Sequence, residues 1–157
     1  MVDRASVAQL IDAVYEPHFE HLGDEFGKTI LGFFSDEPGF ANEKGTTGPD
    51  GISDTLIGKA PPPLHWSGAL ERRLRAALGE RYLAELPHLW DREPAGAHVR
   101  HVYMDIASTL YKECFCDQLG DWCRARGVQY IGHVIEDKDC HARLGVGAGH
   151  YFRAVGG

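Results

Sequence analysis

No run of apolar residues in the sequence approaches the roughly 18 that a membrane-spanning helix requires, and no membrane span is expected. Positive charge is also scarce: 16 Lys and Arg stand against 23 Asp and Glu, a formal net charge of −7. A surface that tracks nucleic-acid phosphates or an anionic bilayer wants the opposite balance, so neither is an expected partner. The four cysteines, Cys114, Cys116, Cys123 and Cys140, contain no Cys-x2-Cys pair. Cys114 and Cys116 stand two apart in a helical pattern, which turns them to different faces. They read as reduced thiols of a cytoplasmic protein rather than as disulfides or metal ligands. The opening stretch, MVDRASVAQL, carries no apolar signal core, which points to the same compartment. No cofactor is expected either. Gly145, Gly147 and Gly149 resemble a phosphate loop, but no strand leading into a helix precedes them. The length of 157 residues excludes a closed (β/α)8 barrel, which takes about 250 residues and rarely fewer than roughly 200.

What is present, 43% hydrophobic and 25% charged residues, fits one globular domain over residues 1–157. Ser6 and Gln9 form a capping-box pattern, and Val7, Leu10, Ile11, Val14 and Tyr15 supply the stripe of an amphipathic helix that Pro17 should kink or restart. Residues 28–35 are short and mostly apolar and end at Asp36-Glu37-Pro38, which suits a strand buried on both faces. Residues 39–65 turn to Gly, Pro, Asn, Asp and Thr, a long loop at the carboxyl end of that strand, where ligand-contacting loops of parallel α/β folds lie. Ser67 can cap a helix carrying Leu70, Leu74, Ala77 and Leu78, and a short helix follows over residues 81–89. A long helix is expected from about Ala97 to Arg126, ended by Gly127. Residues 128–135 form a second buried-strand candidate, again ending on an acidic pair, Glu136-Asp137.

Two such strands joined through helices should run parallel with a right-handed crossover, which defines an α/β fold and sets both acidic tips on one rim. If the strands are neighbours, about 4.8 Å apart, Glu37 and Glu136 can hold their carboxyls within roughly 5–10 Å, the separation that glycoside hydrolysis by a carboxyl pair requires. His133, His141, His150, Arg143 and Arg153 cluster near the second tip in sequence, and Trp66 and Tyr151 offer faces on which a sugar can stack. The same two glutamates could instead cap strands or pair with Arg143 and Arg153. Asp36 and Asp137 should point to the opposite face from their neighbouring carboxyls.

The segments LGFFSDEPGF (residues 31–40) and YIGHVIEDKDCHARLGVGAGHYFRA (residues 130–154) resemble parts of the catalytic barrels of large bacterial glycoside hydrolases related to α-L-rhamnosidases and β-galactosidases. The segments before each strand, YEPHFEHLGDEFG and YMDIASTLYKECFCDQLGDWCRARG, resemble the helices of the same barrels. The resemblance implies a partial (β/α)8-barrel-like arrangement, incomplete at this length, with two or more parallel strands, covering helices and carboxylates at the strand ends. It implies hydrolysis of O-glycosyl bonds, with Glu37 as a catalytic carboxyl and Glu136 as its partner or a substrate ligand. In a two-carboxyl mechanism Glu37 would be the general acid and Glu136 the nucleophile or base. Asp36, Trp66, His133, Asp137, His141, Arg143, His150 and Tyr151 would surround a carbohydrate substrate. Two other functions fit the same rim: a non-catalytic carbohydrate-binding module whose sheet edges a homo-oligomer or the remainder of a longer parent chain would cover, and a metal-dependent hydrolase using His141, His150 and Glu136.

Overall fold

The structure, a computed structural model, describes residues 1–36, 38, 64–91, 93–133 and 150–155. It begins with α1 (Arg4–Leu10), a π-helical turn (Ile11–Tyr15) and α2 (Glu16–Leu22), which follow one another without a break. The cap is Asp3 rather than Ser6. Its carboxylate accepts from the Ser6 backbone N at 2.9 Å and from the Ser6 hydroxyl at 2.8 Å, so Ser6 is a donor inside the first turn. Pro17, which has no N–H to give, falls just past the π turn, and the helix is re-registered there instead of broken. Of the predicted stripe, Val7, Ile11 and Tyr15 are buried at four-residue spacing, while Leu10 and Val14 are exposed.

After β1 (Gly32–Ser35) the described chain resumes before α3 (Gly68–Leu78). Ser67 caps α3, its Oγ accepting from the Leu70 N at 3.1 Å and donating to the Val2 carbonyl at 2.9 Å, which also ties α3 to the start of the chain. Helix α4 (Tyr82–Glu85) and 3-10 turns at Leu86–Leu89 and Pro94–Gly96 lead into α5 (Ala97–Tyr111). A second π turn (Lys112–Cys116) joins α5 to α6 (Asp117–Ala125), and Gly127, at φ 71°, closes the helix as the sequence predicts. Strand β2 (Gln129–Gly132) and the short α7 (Tyr151–Val155) complete the described elements.

The core lies mainly between helices. Leu70, Leu74, Leu89, Leu110, Tyr111, Leu119 and Cys123 are all but fully buried. α3 packs on α5, and α1 packs on the second π turn and α6. At the far end of α6 the Arg126 guanidinium lies 4.1 Å from the Trp122 ring centre and 4.8 Å from that of Phe19. Glu16 accepts from Arg126 at 2.6 Å and from the Trp122 indole N–H at 2.8 Å, so one carboxylate joins α2 to α6.

Beside this layer β1 and β2 pair directly and in parallel, with Gly32 opposite Gln129 and Ser35 opposite Gly132. Among the described residues the sheet has these two strands and the fold is mixed α/β, mostly helical. The two apolar runs are not buried on both faces. Phe33 and Tyr130, cross-strand partners, turn toward the helices, and Phe33 meets Tyr15 at 4.9 Å and Trp122 at 5.7 Å between ring centres. Phe34 and Ile131, the next pair in register, are 58% and 56% exposed. Helices cover one face of the pleat, so burial alternates with period two where the composition suggested a continuous buried run. No helix among the described residues is long and apolar enough to cross a membrane.

Candidate functional site at the carboxyl end of the sheet

Parallel pairing brings the carboxyl ends of both strands to one rim. The backbone N–H of His133 donates to the Ser35 carbonyl at 3.1 Å, extending the ladder one residue past β2. Asp36 and His133 therefore stand next to each other, with Asp36 Oδ1 3.6 Å from His133 Nδ1. The imidazole also meets the Phe34 ring edge-on, at 5.5 Å between centres and 72° between planes. Gly132 permits this approach: at φ 159°, a Cβ there would collide with the Ser35 carbonyl oxygen.

A cleft of about 360 Å³ opens beside these residues, walled by Ser35, Pro38, Tyr111, Cys116, Tyr130 and His133 among others. That volume lies at the low end of the roughly 300–1,000 Å³ typical of small-molecule sites. Ser35 Oγ and Tyr130 Oη are 2.6 Å apart, and the Tyr111 hydroxyl donates to the Pro38 carbonyl at 2.7 Å, tying the chain after β1 to α5. Tyr111 stacks on Phe115 at 5.4 Å with 19° between the ring planes. Burial holds the Tyr111 and Tyr130 phenols well above the usual tyrosine range, in Tyr130 against the opposing pull of its Ser35 hydrogen bond. Burial also pushes the Cys116 thiol up to about 11, against a hydrogen bond with Tyr111. These groups stay neutral near pH 7, so the inner wall presents neutral polar groups rather than a thiolate or phenolate for attack. Asp117, Arg124 and His133 bring charged and titratable groups to the lining.

Of the residues expected at the site, the structure brings Asp36 and His133 together. His150 caps α7: its Nδ1 accepts from the Arg153 N at 3.3 Å, and its own N–H donates to Ser108 Oγ on α5 at 3.1 Å. The helix it caps reaches the cleft through Ala154. Tyr151 is the first residue of that helix. Trp66, half exposed, precedes α3 in a segment held by the Tyr103 hydroxyl, which donates to the His65 carbonyl at 2.8 Å. Glu37, Glu136, Asp137, His141 and Arg143 lie outside the described residues. No group of three or more His, Cys, Asp or Glu side chains among the described residues is arranged to hold a metal ion.

Ser35, Tyr111, Cys116 and Tyr130 were not among the expected site residues. Tyr111 was legible only as part of an apolar stripe, and the side of β2 that Tyr130 faces follows from a register that local sequence does not specify. Comparisons with protein-family models, with curated proteins and with solved structures each found no match. The functional reading is therefore built on the chemistry of this rim.

Proposed function

We propose that the chain is a glycoside hydrolase whose carboxyl pair, Glu37 and Glu136, leaves the ends of two neighbouring parallel strands in a partial barrel-like α/β arrangement. The observation that carries the reading is the direct pairing of β1 with β2. A third strand between them would have carried the two acidic tips too far apart, and none intervenes. In sequence Glu37 follows Asp36 immediately and Glu136 follows His133 by three residues, and the strand ends before them are neighbours, about 4.8 Å apart. In this mechanism Glu37 donates a proton to the leaving oxygen while Glu136 attacks the anomeric carbon or activates water. The hydroxyls of Ser35 and Tyr130 and the partly exposed Tyr130 ring supply polar and aromatic surface for a sugar ring, with the buried Tyr111–Phe115 stack backing that wall.

The test is hydrolysis of a panel of 4-nitrophenyl glycosides by the full chain. Glu37→Gln and Glu136→Gln should each lose on the order of 10²–10⁴-fold in kcat with an unchanged melting temperature. Nitrophenol release that persists in the double variant would sink the assignment. Saturable sugar binding with no release would instead make the chain a carbohydrate-binding module.

A further inference from the structure

We infer that Asp36 is a positioning residue for His133, and that His133, held in this way, presents Nε2 as the acceptor for a hydroxyl of the bound sugar. The choice of a sugar rests on the glycosidase reading above; the pairing rests on geometry alone. The imidazole is located from three directions. Its backbone N–H is fixed to the Ser35 carbonyl at 3.1 Å. Its ring edge meets Phe34 at 5.5 Å. Its Nδ1 lies 3.6 Å from Asp36 Oδ1.

At 3.6 Å the contact is longer than a hydrogen bond, and it acts through charge: a carboxylate beside Nδ1 favours the tautomer that places the proton on that nitrogen. In the neutral ring that leaves the lone pair on Nε2. Both side chains remain open to solvent, at 55% exposure for His133 and 73% for Asp36, so a ligand can reach the ring. His133 also lines the cleft that Ser35 and Tyr130 share, so ring and hydroxyls border the same space. A sugar hydroxyl bound there can donate to Nε2 while accepting from a wall hydroxyl, and a deoxy analogue would forfeit the bond and leave the site's polar group unpaired.

The test uses the full ¹⁵N-labelled chain. Long-range ¹H–¹⁵N correlation at alkaline pH, with the ring neutral, reports which nitrogen of His133 carries the proton, and loss of the signal in His133→Gln assigns it. The Nδ1–H form is expected in the wild type, the Nε2–H form in Asp36→Ala, and the Nδ1–H form again in Asp36→Glu. On whichever 4-nitrophenyl glycoside the chain turns over, Asp36→Ala should raise KM on the order of tenfold with kcat little changed, and Asp36→Glu should recover most of the loss. An Asp36→Ala spectrum identical to wild type overturns the positioning role, whatever the chain hydrolyses. A tautomer switch without turnover of any glycoside keeps that role and removes the sugar as its ligand.

Discussion

Gly132 and Ser35, opposite each other at the carboxyl ends of β2 and β1, approach so closely that a Cβ on Gly132 would collide with the Ser35 carbonyl oxygen. That same carbonyl accepts the N–H of His133. The contact therefore sets both the end of the ladder and the reach of His133 toward Asp36. Gly132→Ala must push the strand ends apart and should destabilise the chain by about 1–3 kcal/mol. Urea unfolding followed by tryptophan fluorescence measures the cost. A stability within error of wild type would show that the strand ends move apart freely and that this glycine does not position the rim.

The two faces of the sheet make a second prediction, because Phe33 and Phe34 are adjacent in sequence and opposite in environment. Phe33 sits among Tyr15, His18, Phe26 and Trp122, with ring centres 4.9–5.8 Å away. Phe34 is 58% exposed. Phe33→Ala should cost about 2–4 kcal/mol through lost burial and lost ring contacts, and Phe34→Ala less than about 1 kcal/mol. The comparison is a pair of thermal melts. Equal losses would mean that the outer face is covered in solution.

The difference between these two phenylalanines also shows where sequence reading stopped. Local signals were legible where one residue type has one use: Ser67 as a cap, Gly127 as a helix end, and two short apolar runs as parallel strands. The exposure of Phe34 and Ile131 was not legible, because an apolar residue satisfies the same pattern whether or not a second layer covers it. The π turns shifted the register within helices that had been recognised correctly, leaving Leu10 and Val14 exposed beside buried Ile11 and Tyr15. The meeting of Asp36 with His133 depends on strand register, which is set by packing rather than by either segment alone. The two glutamates on which the proposed chemistry rests came from strand-end patterning and resemblance, and they lie outside the described residues.

A third prediction concerns alkaline pH. Burial pushes the Cys116 thiol from an ordinary value of 9.0 up to about 11, and it raises the phenols of Tyr103, Tyr111 and Tyr130 above the tyrosine value of 10.0. Each folded-state group holds its proton more tightly than the unfolded chain does. Their stabilisation is therefore complete below about pH 9 and is lost as pH rises, for Cys116 through the window between about 9 and 11. The gap at Cys116 corresponds to at most about 2–3 kcal/mol, and the tyrosines extend the loss above pH 10. Urea midpoints measured under reducing conditions at pH 8, 9, 10 and 11 should stay level to about pH 9 and then fall, with a shallower fall between 9 and 11 in Cys116→Ala. The variant starts from lower stability because it removes a half-buried side chain that meets Tyr111, so the diagnostic quantity is the slope with pH rather than the midpoint. Equal slopes in the two proteins would show that the folded chain lets Cys116 ionise as readily as the unfolded chain does, and that the inner wall of the cleft is wetter than its packing implies.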